Sequence, residues 1–288
     1  MKGLRVLVTG AAGQLGTEVV AAFSGGGLAT EVVAADRARL DVADRDAVLQ
    51  AMGSVQPDLV VHAAAWTAVD ACEGDPDRAY RVNALGTRHV AEGARAAGAH
   101  LCYISTDYVF DGGGSRPYTE WDPTGPRSVY GASKLAGEGE LGPEATVVRT
   151  SWLCGAGGPN MAATVLGLAG SGDGALRFVD DQRGRPTMAA DLAVAVRRLT
   201  IERRPGTYHV TNQGEATWYD FARAVLAASG GDPGRVEPIA TADLDPPRAA
   251  PRPAYSVLDN AALRLGGLPL LPDWRESLPA LVKELAGR

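Results

Sequence analysis

Leu4-Arg5-Val6-Leu7-Val8-Thr9-Gly10-Ala11-Ala12-Gly13-Gln14-Leu15-Gly16, running on into Thr17 to Phe23, is the stretch that decides the fold. Residues 4–9 read as a short, fully buried strand and Thr17–Phe23 as a helix. Between them the glycines are spaced Gly-x-x-Gly-x-x-Gly. A strand entering a helix through a glycine loop gathers backbone N–H groups and the positive end of the helix at one point, which suits a pyrophosphate. Tight turns also demand glycine, so the inference rests on this triplet standing at the first strand–helix junction. It predicts an α/β protein with a Rossmann-type, doubly wound parallel sheet.

The next elements fit that frame. Glu31–Ala35 reads as a second strand ending at Asp36-Arg37. An acidic residue about 20 positions past the glycine loop is where an adenosine ribose 2′-hydroxyl binds. Arg37 beside it suits a 2′-phosphate instead, so NAD and NADP both stay open. Asp41-Val42 is placed to flank the adenine. A helix is expected over Asp44–Met52 and a buried strand over Asp58–His62, which leads out through Ala63-Ala64-Ala65-Trp66-Thr67. Ligands of open α/β sheets lie outside the carboxyl ends of the strands, so that exit should border the cofactor. A long helix from about Pro76 to Ala97, carrying Asn83, suits a crossover. The strand His100–Ile104 follows, with its exit Ser105-Thr106-Asp107. Thr106 there can bond a substrate carbonyl or close a local turn.

After a surface loop over 112–126 comes Tyr130-Gly131-Ala132-Ser133-Lys134. On a helix Tyr130 and Lys134 share a face, with Cβ atoms about 5–6 Å apart. An ammonium beside a phenol favours the phenolate, and a pKa drawn toward the working pH suits general acid–base chemistry. Further on, Ala145–Val148 is a strand leading to Arg149-Thr150-Ser151-Trp152, where Trp152 either stacks on a ligand or fills core. Helices are expected over Met161–Ala169, Ala189–Ile201, Trp218–Ser229 and Trp274–Ala286, and a buried strand over Gly206–Asn212. The apolar positions of Trp218–Ser229 point to packing. The proline-rich stretch 243–253 cannot be regular helix or central strand. Arg248 or, by preference, Arg252 in it has a guanidinium fork suited to phosphate oxygens, the alternative being a solvated loop. Residues 1–150, with return segments near 187–212, are expected to hold the dinucleotide, and 151–288 mainly the substrate.

Composition narrows the class. The 288 residues are 45% hydrophobic and 22% charged, ordinary for a globular protein. A net charge of −6 argues against a nucleic-acid surface. Arg197, Arg198, Arg203 and Arg204 read as a solvated helix end. Cys72, Cys102 and Cys154 lack the pairing of a disulfide framework or zinc site, and fit a reducing cytoplasm. No apolar run approaches the roughly 20 residues of a membrane span, and no signal-peptide layout precedes Leu4.

Taken together, Gly10-x-x-Gly13-x-x-Gly16, the hydroxyls at Ser105 and Thr106, and Tyr130-x-x-x-Lys134 resemble the extended short-chain dehydrogenase/reductases. A narrower likeness, to nucleotide-sugar 4-ketoreductases, runs through His62–Asp70, Ser105–Gly112, Tyr130–Glu138, Arg149–Trp152, Asp181–Thr187 and Arg252–Leu258. The resemblance implies reduction by NADPH or NADH of the C4 keto group of dTDP-4-dehydro-6-deoxy-L-mannose, giving dTDP-L-rhamnose. It places Gly10, Gly13, Gln14, Leu15, Gly16, Asp36, Arg37, Asp41, Val42, Ala65, Trp66 and Thr67 at the dinucleotide. Thr106, Asp107, Trp152 and Arg252 would meet the substrate. Tyr130 would protonate the developing alkoxide and Thr106 hold that oxygen. Lys134 would bind the nicotinamide ribose and lower the Tyr130 pKa. In some members a magnesium ion sits at a dimer contact. Glu18 falls at one such ligand position but no convincing set of co-ligands is evident in the sequence, so a homodimer is compatible with the likeness and no metal is expected to be obligatory. Rival readings are an epimerase or ketoreductase of another nucleotide deoxysugar, and a non-catalytic dinucleotide-binding regulatory subunit.

Overall fold

Six strands form one parallel sheet in the computed structural model, which describes residues 3–25 and 30–287. They are β1 (Leu4–Thr9), β2 (Thr30–Ala35), β3 (Leu59–His62), β4 (His100–Thr106), β5 (Thr146–Thr150) and β6 (Gly206–His209). Their order across the sheet is β2-β1-β3-β4-β5-β6. Val8 pairs with Ala34 on one side and Val61 on the other. Both faces of the inner strands are covered by helices, which is why β1 and β3 carry the consecutive apolar runs Val6-Leu7-Val8 and Leu59-Val60-Val61. The order reverses beside β1, and this is where an open α/β sheet leaves a crevice.

Each face has its own core. On one, Val6, Val8, Leu15, Val19 and Phe23 pack with Leu192, Val196 and Leu199 of the helix Ala189–Ile201. On the other, Leu7 and Val60 meet Val48 and Met52 of the helix Arg45–Val55 and Val90 and Ala94 of the helix Gly86–Ala96. Each such buried Val, Leu, Met or Phe side chain contributes roughly 1.5–3 kcal/mol. A third core unites the helices Met161–Gly170, Trp218–Ala228 and Trp274–Ala286 through Val165, Phe221, Val225, Trp274 and Leu278. The parallel pair Leu176–Val179 and Val236–Ile239 lies against it.

Two departures from the sequence expectations bear on the site. The span 76–97 is not one regular α-helix but Pro76–Tyr80, a π-turn over Arg81–Leu85, and Gly86–Ala96. Such π-turns re-aim side chains, often at functional sites, and Asn83 sits in this one. Late in the chain, Leu263 and Leu271 join the first core beside Val196 and Val210, so the chain returns to the sheet after residue 260 as well as near 187–212. The stretch 245–253 carries neither helix nor strand, as its prolines require.

Candidate active site

The carboxyl ends of β1, β3, β4 and β5 open onto a cleft of about 400 Å3 whose walls include Gln14, Leu15, Gly16, Thr67, Thr106, Asp107, Tyr130, Lys134 and Trp152. Through Gly10, Gly13, Ala63 and Ala65 it joins a second cavity of about 260 Å3, bordered by Asp36, Arg37, Asp41, Val42 and Trp66. All the residues expected at the dinucleotide thus fall along one continuous groove.

Glycine is required at two points of the loop. Gly10 has φ +68°, and a Cβ there would lie 2.6 Å from the Ala64 nitrogen. A Cβ on Gly16 would lie 2.1 Å from the Gly10 carbonyl oxygen. The helix Gln14–Ser24 begins at Gly13 with no side-chain cap and no acidic residue in its first turn. Its leading N–H groups therefore face the groove without a carboxylate of their own, a cradle that fits a bound pyrophosphate. Gln14 fastens the loop across the cleft: Nε2 donates to the Pro159 carbonyl at 2.9 Å, and Oε1 accepts from the Gly155 N–H at 2.8 Å.

On the opposite wall the exit of β3 is held by Asn83. Its Oδ1 accepts from the Trp66 N–H at 2.8 Å. Its Nδ2 donates to the Trp66 carbonyl at 3.1 Å and to Ser133 Oγ at 2.9 Å. One buried amide thereby ties the groove wall to the helix that carries Tyr130. In the sequence Asn83 stood out only as a polar residue in an alanine-rich crossover.

That helix spans Val129–Glu138 and is capped by Ser128, whose Oγ accepts from the Gly131 N–H at 3.1 Å. Tyr130 and Lys134 lie on its buried face. Lys134 Nζ donates to the Ile104 carbonyl at 2.7 Å and stands 4.1 Å from the centre of the Tyr103 ring. Burial draws its pKa down to about 7, with Glu138 acting in the opposite direction. The expected lowering of the Tyr130 pKa by Lys134 is reversed here. Burial pushes the phenol up, the Thr106 hydroxyl works against that shift, and Asp107 and Tyr108 reinforce it. The physical reason is that the ammonium is spent on a backbone carbonyl while the phenol sits in an apolar wall beside an anion. Tyr130 is accordingly held protonated, the state a proton donor needs.

Thr106 closes the local turn and also lines the cleft. Its Oγ1 accepts from the Tyr108 N–H at 3.3 Å, closing the local turn, and donates to Asp107 Oδ1 at 3.0 Å while lining the cleft. Burial pushes the Asp107 carboxyl up to about 6. Trp152, at φ +47°, stacks on Trp218 with ring centres 3.5 Å apart and planes 5° apart. The apolar positions Phe221, Val225 and Leu226 of the helix Trp218–Ala228 pack in the core as expected, while Trp218 at its start lines the cleft. Its place at the first helical position, inside a Thr217/Asp220 capping box, was the available signal.

Arg252 is not brought into the groove. Its guanidinium donates to Asp70 Oδ2 at 2.8 Å, and the same carboxylate accepts from the Ala250 N–H at 3.0 Å. Asp70, in the first turn of the helix Val69–Gly74, thus anchors the proline-rich stretch, a pairing across 182 positions that no local pattern reveals. Glu18 lies on the helix Gln14–Ser24. Among the described residues no three His, Cys, Asp or Glu side chains gather into a metal cluster, and no helix is long and apolar enough to cross a membrane.

A Rossmann-type sheet whose switch-point crevice joins a glycine-loop anion cradle to a Tyr-x-x-x-Lys helix defines the extended short-chain dehydrogenase/reductase class. Within it, the family model described as "RmlD substrate binding domain" matches residues 4–286, and the chain belongs to that family. The dTDP-4-dehydrorhamnose reductase of Streptomyces griseus is 46% identical over 99% of this chain and 95% of its own length. A probable dTDP-4,6-dihydroxy-2-methyloxan-3-one 4-ketoreductase of Streptomyces antibioticus is 44% identical over 96% of this chain and 93% of its own. The crystal structure of dTDP-4-dehydrorhamnose reductase from Bacillus anthracis in complex with NADP superimposes with a TM-score of 0.91. It is 37% identical, covering 99% of this chain and 100% of that one.

Proposed function

We propose that this protein is an NAD(P)H-dependent reductase that converts the C4 keto group of dTDP-4-dehydro-6-deoxy-L-mannose to the alcohol of dTDP-L-rhamnose. The observation that carries the reading is the convergence of protonated Tyr130, the Thr106 hydroxyl and Lys134 at the end of the dinucleotide-shaped groove. The names of the similar reductases, and the NADP in the Bacillus anthracis structure, support the substrate class and the cofactor class. Residues 1–150 with the returning segments hold the dinucleotide, and 151–288 mainly the nucleotide sugar.

The chemistry asked of the chain is limited. NAD(P)H, when bound, supplies the hydride. Gly10, Gly13, Gly16 and the start of the helix Gln14–Ser24 hold its pyrophosphate, and Asp36 or Arg37 meets the adenosine ribose. Tyr130 gives its phenolic proton to the C4 oxygen as negative charge develops there. General acid catalysis of this kind contributes roughly 10²–10⁴ in rate. Thr106, whose hydroxyl donates to Asp107 in the free protein, turns that hydroxyl to the C4 oxygen when the sugar is bound and orients it beside Tyr130. Trp152, backed by Trp218, gives the sugar a flat apolar wall. A ketoreductase of a different dTDP-deoxysugar is the second reading, favoured by the 44% identical Streptomyces antibioticus relative.

Reduction is tested with a nicotinamide cofactor dideuterated at C4. Deuterium at the sugar C4, with stoichiometric cofactor oxidation, is expected. Sugar turned over without net oxidation would make the protein an epimerase. Tyr130→Phe should lose turnover by about 10²-fold or more while keeping dinucleotide affinity. Unchanged turnover in that variant removes Tyr130 from the reaction.

A further inference from the structure

The seam between β4 and the Tyr130 helix is stitched residue by residue. Tyr103 Oη donates to the Lys134 carbonyl at 3.2 Å, and Lys134 Nζ donates to the Ile104 carbonyl at 2.7 Å. Ser105 Oγ donates to Glu138 Oε1 at 2.5 Å. Glu138 lies one turn beyond Lys134 on the same helix, and no part of the reading above uses it. A guanidinium clamps it from β5: Arg149 Nε donates to Oε1 at 2.9 Å and Nη2 to Oε2 at 2.7 Å. Both side chains are largely buried, at 10% exposure for Glu138 and 8% for Arg149. Arg149 is in turn packed 5.3 Å from the centre of the Phe110 ring.

A buried ion pair is weak evidence for stability, because desolvating two charges offsets most of their attraction. A hydrophobic pair of like volume would hold the helix as well, so the pair calls for another explanation. The surroundings of Lys134 supply one. On its own helix Tyr130 lies one turn before it and Glu138 one turn after. Glu138 is held by Ser105, the neighbour of the Ile104 whose carbonyl takes Nζ. β4 also presents the Tyr103 ring, and β3 presents His62, which burial keeps neutral with a pKa near 3. Arg149 of β5 stands behind Glu138. Glu138 is the carboxylate among these groups, and its charge opposes the burial that deprotonates the lysine.

We infer that Glu138, fixed by Arg149 and Ser105, is a positioning residue that serves as the buried counter-charge of the Lys134 ammonium. The inference deepens the proposed function, since it matters to turnover only if Lys134 acts at the reacting centre. Ser105 also lines the cleft, so the network begins at the substrate wall and ends in the interior of the sheet. Glu138 does not touch the groove, and its effect on chemistry runs through Lys134.

The test is a pH titration of Lys134 by NMR on protein labelled with 13Cε-lysine. The sequence holds three lysines, Lys2, Lys134 and Lys283, so the spectrum is simple, and Lys134→Met assigns the signal. The parent protein should titrate near 7 at Lys134. In Glu138→Gln the midpoint should fall by about one pH unit or more, as loss of a near opposite charge requires. An unmoved midpoint would overturn the inference, even if activity fell, because a merely structural role would leave the lysine's titration where it was. Should the single variant not fold for want of a partner to Arg149, Glu138→Gln with Arg149→Met removes both buried charges. A smaller fall in the same direction is expected there, because loss of the guanidinium favours the ammonium and offsets part of the loss of the carboxylate. The titration reads the protein without cofactor or substrate. Failure of the proposed reaction would therefore show in the deuterium experiment and leave this result standing.

Discussion

Replacing Gly16 by alanine probes the anion cradle at its tightest point. The new Cβ would stand 2.1 Å from the Gly10 carbonyl oxygen and 2.8 Å from the Ala11 Cα. Both are backbone atoms, so no side chain can swing aside and the loop itself must move. Overpacking of this kind costs about 1–3 kcal/mol. Alanine returns up to about 1 kcal/mol of helix propensity, which leaves a net destabilisation of up to about 2 kcal/mol in urea unfolding. A displaced loop also misdirects at least one N–H toward the cofactor phosphates. One charged hydrogen bond is worth about 1.5–3 kcal/mol, so the NADPH dissociation constant should rise roughly 10- to 150-fold, read from nicotinamide fluorescence. Gly53→Ala is the matched control. Gly53 is exposed within the helix Arg45–Val55, and a Cβ there meets nothing within 4 Å. That variant should gain up to about 1 kcal/mol and bind NADPH unchanged. Parental stability and parental affinity in Gly16→Ala would refute the cradle.

Two further outcomes follow from the geometry. Trp218→Ala removes the stack behind Trp152; aromatic pairs of this type contribute about 0.5–1.5 kcal/mol beyond area burial. The KM for the nucleotide sugar should therefore rise roughly 2- to 12-fold with NADPH affinity kept, and a change in NADPH affinity alone would contradict the placement. Acid sensitivity should begin in the histidine range. Burial depresses His62 and His209 to about 3, so each takes up a proton on unfolding below its ordinary pKa near 6.5, and stability is lost as pH falls from there toward 3. The loss is roughly 2 kcal/mol per histidine at pH 5. Asp107, raised to about 6, opposes it with a smaller gain once the pH drops below that value. Thermal midpoints should therefore be lower at pH 5 than at pH 7; equal midpoints would show that these imidazoles are not held neutral.

Local patterns in the sequence carried the frame of the protein. Periodicity bounded the helices Ala189–Ile201 and Trp274–Ala286, and the glycine loop after β1 located the crevice. The groove residues were legible because they sit in short runs at strand exits, where the fold rule itself places ligands. What escaped was set by partners distant along the chain. Arg252 carries a guanidinium suited to a phosphate, but Asp70, on a helix far upstream, takes it. The i, i+4 spacing of Tyr130 and Lys134 put them on one face yet could not show that the ammonium turns to the Ile104 carbonyl. Trp218 looked like one more apolar residue until Trp152, on a different strand exit, was laid against it. Asn83 required knowledge of where the β3 exit runs, which only the assembled sheet supplies.

The most direct test of the account is consumption of NADPH and NADH by the purified protein with dTDP-4-dehydro-6-deoxy-L-mannose, generated in place by a 3,5-epimerase. Steady oxidation with stoichiometric formation of dTDP-L-rhamnose is the predicted result, and the two rates would rank Asp36 against Arg37 as the residue that meets the adenosine ribose. No oxidation of either cofactor, while both still bind, would contradict it.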